Sequence, residues 1–188
     1  MLARLGVLLT ALCTALPAPA VSDELQDDLE ARRAKVMQEL GPATMLILWS
    51  APLRAYSHDI EYEYRQDSNF YYLTGIEQVG TTLILMPGNE TRKAILFIEE
   101  RDPVREHWEG RMLSKQEATD ISGIDTVYFQ TELDAFLSAI LSKQPYDVPR
   151  YEKTSEYQSF LQALEAGDAR LAVISGGARN VKEDVPPP

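Results

Sequence analysis

The densest aromatic stretch of the chain, residues 62–76, is the feature that most limits how it can fold. Its tyrosines and its phenylalanine must be covered, since an aromatic side chain buries roughly 150–250 Å² when it packs. A polar block at 65–69 interrupts the aromatics and supplies donors and acceptors for backbone groups where a chain turns inside a packed region. We expect Ser68 or Asn69 to cap a short helix that ends at Gly75 in the left-handed conformation. The residues alone are typical of a turn within a core.

Apolar runs of strand length recur along the chain and alternate with helical patterns. Residues 44–49 form an apolar run typical of a strand that helices cover on both faces. Residues 81–86 and 93–98 predict an antiparallel hairpin, and 126–129 and 171–174 predict one further strand each. This alternation indicates an α/β fold, a layered mixed β-sheet flanked by helices.

Capping residues mark the expected helix boundaries. Ser22 or Asp23 is expected to cap the first helix, and Gly41 to stop it. A helical turn is expected to begin at Asp102-Pro103, and the next helix is expected to begin at a Ser114–Glu117 capping box and to stop at Gly123. Pro145 is expected to end the helix that follows, and the last helix is expected to run from near Ser155 to Gly167.

The aromatic stretch also carries a resemblance to a known family. Residues 64–75, which include Arg65, Gln66, Ser68, Phe70 and Gly75, resemble the hallmark of the aminopeptidase P N-terminal domain. That domain is the non-catalytic half of Xaa-Pro aminopeptidases, and prolidases carry a looser version of it. Matches to its hairpin, to Arg101-Asp102 and to a segment at 106–111 follow in the family's order, so the resemblance runs from about Leu29 to about Leu164. It implies one domain over 21–174 with the layered α/β arrangement.

The segment at 106–111 resembles the family's Glu-x-Trp-x-Gly-Arg motif, with Glu106, Trp108, Gly110 and Arg111 in the motif positions. The resemblance implies that Trp108 lies at the mouth of the active site and shapes the pocket for the substrate's N-terminal residue. An indole suits that role because it is a large, rigid wall with one donor. Packing of Trp108 between helix and sheet is the alternative. Arg65 and Arg101 are expected to anchor structure by bridging carboxylates or carbonyls.

The residues do not predict catalysis by this chain alone. There is no Gly-x-Ser-x-Gly elbow, and the only paired candidate, His58-Asp59, places its side chains on opposite sides of an extended segment. Asp59, Glu61 and Glu63 alternate along a possible strand, a pattern more typical of a solvated edge than of a metal site. The family's dinuclear metal site, typically manganese, is held by two Asp, one His and two Glu of a pita-bread catalytic domain. Because the chain lacks that domain, we expect no catalytic residue and no metal ligand in it.

Charge and the chain termini bear on partners and location. A net charge of −11 with a pI near 4.6 argues against nucleic-acid binding, which needs clustered Lys and Arg. Residues 1–20 are typical of a secretory signal, with Arg4, an apolar run and a small-residue site that predicts cleavage after Ala20; a retained anchor is the alternative. The only cysteine, Cys13, lies inside this segment. We therefore expect a secreted or periplasmic domain that makes no membrane contact after cleavage.

The tail of the chain and a tripeptide at Asn89 carry two further sequence patterns. Residues 175–188 are rich in Gly and Pro and are expected to be a linker or a truncated tail. Asn89-Glu90-Thr91 is an acceptor pattern for N-glycosylation.

The expected function is that of an exported N-terminal domain of an Xaa-Pro aminopeptidase-like metallopeptidase, inactive alone. It would shape the substrate pocket and form oligomer contacts. Its partner would be a catalytic pita-bread domain or a second copy, and the assembly would act on peptides with proline at the second position. The alternative is a stand-alone module that binds peptides or a protein partner.

Overall fold

A computed structural model describes residues 21–57, 60–61, 63–147 and 156–174. The predicted signal segment, the tail at 175–188 and the pair His58-Asp59 lie outside these residues, so those expectations stay predictions. The helices are α1 (Val21–Leu40), α2 (Ser68–Thr74), α3 (Pro103–Glu109), α4 (Lys115–Ser122), α5 (Leu133–Leu141) and α6 (Gln158–Ala166). The strands are β1 (Thr44–Trp49), β2 (Ala55–Ser57), β3 (Ile60–Glu61), β4 (Thr82–Leu85), β5 (Ala94–Ile98), β6 (Thr126–Phe129) and β7 (Arg170–Ile174). Within the described ranges, no helix is long and apolar enough to cross a membrane.

The main sheet has five strands in the order β6-β5-β4-β1-β7. β4 pairs antiparallel with both β1 and β5, while β6 runs parallel to β5 and β7 parallel to β1. The short strands β2 and β3 form a separate antiparallel ribbon. The predicted mixed sheet, including its hairpin, is confirmed.

Helices cover the sheet on both faces, which explains why its central strands are apolar throughout. Side chains alternate between the faces, so Met45 and Ile47 join one core cluster while Leu46 and Leu48 join the other. The first cluster contains Phe136 of α5 and the second contains residues of α2 and α4. The predicted α/β fold with helices flanking the sheet is therefore confirmed.

Several expected helix ends differ from the structure. α1 is helical from Val21, the first described residue, so Ser22 and Asp23 lie within the helix and do not cap it. Asp67, rather than Ser68 or Asn69, caps α2, because its carboxylate accepts from the amides of Asn69 and Phe70 at 2.9 and 3.0 Å. α5 ends four residues before Pro145, and α6 begins at Gln158 because Tyr157 takes the left-handed conformation. The predicted cap at Asp102, the capping box at Ser114 and the stops at Gly41, Gly75, Gly123 and Gly167 are confirmed.

Asn89, the acceptor residue of the glycosylation pattern, is buried in the folded chain. Asn89 is 3% exposed, and its Nδ2 donates to the carbonyl of Arg92 at 2.9 Å. Its Oδ1 accepts from the backbone amide of Tyr157 at 3.0 Å. Because both ends of the carboxamide are used inside the protein, the folded chain cannot carry a glycan there.

Candidate functional site

A groove of about 720 Å³ opens at one end of the main sheet. The carboxyl ends of β1 and β5 and the start of β4 meet at this end, because β4 runs antiparallel to both neighbours. Ligands of α/β sheets bind outside the carboxyl ends of strands, where loops rather than regular structure present side chains. The apolar wall consists of Leu53, Tyr64, Tyr71, Val79, Met112, Leu113 and Ile121. Glu77, Gln78, Arg105 and Arg111 add polar groups.

Gln66 holds two sides of the groove together. Its Oε1 accepts from the amide of Ala51 at 2.8 Å, and its Nε2 donates to the carbonyls of Ile76 and Gln78 at 3.1 and 3.2 Å. Gln66 is buried, and its carboxamide satisfies backbone groups that have no strand partner there. These hydrogen bonds give a physical reason for a glutamine at this position of the structural motif.

The aromatic stretch divides between the core and the groove. Phe70 is completely buried, whereas Tyr71 and Tyr72 are about half exposed. The expectation that all these aromatics would be covered is therefore wrong for the two tyrosines. Tyr71 lines the groove, and the ring of Tyr72 lies 4.5 Å from the guanidinium carbon of Arg32. Tyr64 also lines the groove, and burial raises the pKa of its phenol.

The second wall is the loop between α3 and α4, and Glu106 fixes it. Arg101 donates to the two Glu106 carboxylate oxygens from Nε at 2.8 Å and from Nη2 at 3.1 Å. One of these oxygens also accepts from the amide of Met112 at 2.9 Å. The bonds from Arg101, and next that from Met112, hold the pKa of Glu106 below its ordinary value. Through this paired contact Arg101 bridges a carboxylate, which is the kind of contact expected of it.

Further contacts join this loop to its surroundings. The amide of Leu113 donates to Oε1 of Gln78 at 2.6 Å, and Arg111 pairs with Glu117. The amide and hydroxyl of Ser114 lower the pKa of Glu117. Gly110 has φ +93°, a conformation that disfavours side chains, so the loop needs glycine at this point.

The structure brings some of the predicted site residues together and leaves others apart. Gly75, Gly110 and Arg111 line the groove. Asp102 and Phe70 support it from the cap of α3 and from the core. Trp108 lies in α3, just before the loop, but its side chain is outside the described part of the structure. Ser68 is an exposed first residue of α2. Arg65 is exposed too, and its expected anchoring contact has no counterpart among the described residues, so that role stays a prediction.

Among the groove residues that sequence reasoning missed are Leu53, Glu77, Gln78, Val79 and Arg105. They come from three separated segments, and no local pattern marks them. One available signal was the position of 77–79 immediately before a predicted strand, where an α/β sheet presents loops.

The described residues contain no group of three His, Cys, Asp or Glu side chains that could hold a metal ion. Glu61 lies in β3 and Glu63 follows it, while Asp59 falls in a gap of the description. The donor set of the groove itself, one carboxylate beside guanidinium and amide groups, does not fit a dinuclear metal site.

Comparison with known proteins relates this arrangement to one family. The family model for "Aminopeptidase P, N-terminal domain" matches residues 29–151. The Xaa-Pro aminopeptidase of Haemophilus influenzae is 33% identical over 126 residues, covering 66% of this chain and 29% of that protein. The chain thus spans less than a third of the length of this relative.

Solved structures agree with this match. The aminopeptidase PepP of Pseudomonas aeruginosa aligns with a TM-score of 0.57 and 33% identity, covering 62% of this chain and 26% of that one. Aminopeptidase P from E. coli aligns with a TM-score of 0.59 and 26% identity, covering 79% and 36%. With its fold, its motif order and these matches in agreement, the chain belongs to the aminopeptidase P N-terminal domain family.

Proposed function

We propose that this chain is the exported, non-catalytic N-terminal domain of an Xaa-Pro aminopeptidase-like metallopeptidase. In this role it shapes the substrate pocket, forms oligomer contacts and cleaves no peptide alone. One observation carries the proposal: Gly75 of the aromatic motif and Gly110 and Arg111 of the Glu-x-Trp-x-Gly-Arg motif line the same groove. Segments about 35 residues apart in the chain thus converge on one concave surface next to Trp108.

The groove suits recognition of an extended peptide rather than bond cleavage. Its apolar wall offers contact area, and Oε1 of Gln78 holds the loop by accepting from the amide of Leu113. Such a preorganised surface positions a substrate without supplying a nucleophile. The manganese implied by the resemblance would be held by a catalytic domain, since the donors described here do not fit it.

A domain exchange tests this proposal. Residues 21–174 would replace the matching N-terminal segment of E. coli aminopeptidase P, and cleavage of an Xaa-Pro peptide would be measured with manganese present. We expect cleavage by the exchanged enzyme and none by the full chain alone under the same conditions. Manganese-dependent cleavage by the chain alone, or an inactive exchanged enzyme that is folded and loaded with metal, would contradict the proposal.

A second candidate function is a stand-alone peptide-binding module. The half-exposed ring of Tyr71 at the groove favours it, because an exposed aromatic wall is typical of peptide recognition. Titration of the full chain with an Xaa-Pro peptide, followed by intrinsic fluorescence, separates the two candidates. Saturable binding at micromolar concentration without any catalytic domain supports the module, and its absence supports the domain of a larger enzyme.

A further inference from the structure

The outer edge of β7 offers backbone groups for pairing. β7 is the terminal strand of the sheet, with β1 on its inner side. The amide of Arg170 donates inward, to the carbonyl of Ala43 at 3.0 Å. Because peptide groups alternate sides along a strand, the N–H and C=O groups of Leu171 and Val173 point outward. Within the described ranges, no strand pairs with them.

The side chains at this edge are apolar and exposed. Leu171 is 58% exposed and Val173 52% exposed, although their β1 partners Met45 and Ile47 are buried in the core. Ile174, on the opposite face, is 38% exposed. Exposed edge strands usually carry lysine, proline or a bulge that discourages pairing. Within β7 the only charged residue is Arg170, at its start.

The other edge of the sheet is protected. Lys115 places its Nζ 4.0 Å from the centre of the Phe129 ring in β6 and 3.6 Å from Oε2 of Glu132. A short 3-10 helix, Gln130–Glu132, turns the chain away directly after β6. A charged side chain over a short strand is a common device against edge pairing. Of the two edges, only that of β7 is suited to association.

We propose that β7 pairs with β7 of a second copy of this chain, antiparallel and symmetric about Ala172. This register pairs all five residues of the strand: Leu171 faces Val173 of the copy, and Arg170 faces Ile174. The two Leu171–Val173 positions are hydrogen-bonded pairs, so they exchange four backbone bonds in total. Their side chains form one apolar strip across the two-fold axis, and no like charges face each other.

The symmetry of this contact limits assembly to a dimer. A two-fold contact uses the same edge on both copies and leaves the protected β6 edges outside. The contact is smaller than a standard interface of about 800 Å² per partner, so the dimer forms at micromolar or higher concentration. Each copy carries a net charge of −11, so added salt screens the repulsion and strengthens association.

Disulfide trapping tests the register. In a chain with Cys13→Ala, Ala172→Cys places two thiols at a non-hydrogen-bonded pair whose Cα atoms lie about 4.5 Å apart, within disulfide range. We expect a disulfide-linked dimer under mild oxidation. Leu141→Cys, at a 62% exposed position of α5, is the matched control for random collision. Cross-linking of Ala172→Cys no faster than that of the control would overturn the proposal.

Analytical sedimentation of the full chain tests pairing at the β7 edge independently of the disulfide cross-link. We expect Val173→Lys to raise the dimer Kd at least tenfold, and Val104→Lys, at a 71% exposed position of α3, to leave it unchanged. A wild-type chain that stays monomeric at several hundred micromolar would overturn the proposal. Monomers that dimerise only after removal of 175–188 would overturn it too, by making that segment the occupant of the edge.

This inference deepens the oligomer contacts of the proposed function. The two can fail separately, because sedimentation and trapping measure association while the domain exchange measures peptide cleavage.

Discussion

The guanidinium of Arg33 donates from Nη1 to the carbonyl oxygen of Leu73 at 2.9 Å, in the last turn of α2. The same nitrogen donates to the carbonyl of Ser122, at the end of α4, also at 2.9 Å. Arg33 is only 2% exposed, and this burial lowers its pKa. A cation at two helix C-termini satisfies carbonyls that lack intrahelical partners and complements both macrodipoles. One side chain of α1 thereby fixes the two helices that flank the groove.

Arg33→Met should destabilise the chain by about 2–4 kcal/mol, because two buried carbonyls lose a charged donor. Urea unfolding followed by circular dichroism would measure the loss. Arg32→Met is the matched control: Arg32 is only partly buried, pairs with Asp28 and donates to the carbonyl of Tyr72 at 3.1 Å, so its replacement should cost about 1 kcal/mol. Equal losses of stability in the two variants would contradict the role of Arg33 in joining α2 and α4.

Gln66→Leu should cost about 2–4 kcal/mol, because Ala51, Ile76 and Gln78 lose a buried hydrogen-bond partner. Leucine removes the carboxamide and is one heavy atom shorter than glutamine, so the loss combines the hydrogen bonds with a small change in packing. Gln116→Leu serves as control, since Gln116 is exposed and its hydrogen bond to Asp120 lies within its own helix. Urea unfolding of both variants provides the comparison, and a Gln66 effect no larger than that of Gln116 would contradict the assigned role.

Gly75→Ala should cost more than Gly167→Ala, although both glycines have positive φ. The left-handed backbone alone costs a non-glycine residue about 1–2 kcal/mol at either site. A Cβ at Gly75 would also lie 3.3 Å from Cδ1 of Leu29, whereas one at Gly167 meets nothing within 4 Å. Thermal unfolding measures the difference in stability between the two variants. This difference reports on how closely Leu29 of α1 packs against Gly75 at the end of α2.

The Glu106 carboxyl should titrate below the usual glutamate value of about 4.3. Its folded-state pKa is lowered by Arg101 and then by Met112, so its stabilisation is present above the unfolded pKa and is lost as pH falls through the folded one. The amide resonance of Met112, followed by NMR from pH 6 to pH 2, reports this titration directly. In Glu106→Gln the low-pH transition of that amide should vanish, and a midpoint at or above the usual value would contradict the assigned contacts.

Trp108→Ala should reduce cleavage by the exchanged enzyme more than it lowers the melting temperature of this chain. The reason is the position of Trp108 in α3, directly before the groove-lining loop. Activity and thermal unfolding measured on the same variant give the comparison. A large fall in melting temperature with unchanged activity would make Trp108 a packing residue instead.

Elements of the fold whose causes are local could be predicted from the amino-acid sequence. The strand at Thr44–Trp49 and that at Thr126–Phe129 occur with the predicted bounds, because apolar runs of strand length require burial wherever they lie. The capping box at Ser114 and the helix stop at Gly75 likewise depend on neighbouring backbone groups, so the residue types at these positions predict them. The family motifs likewise single out Gly75, Gly110 and Arg111 from the sequence alone.

Contacts between distant segments could not be predicted from the sequence, because they depend on how the whole chain packs. Asn89 is held away from the surface by its bond to the amide of Tyr157, 68 residues along the chain. Arg33 reaches Leu73 and Ser122 across 40 and 89 residues, distances at which no sequence period carries information. The groove exists for the same reason: its residues become neighbours only when the sheet order brings the ends of β1, β4 and β5 together.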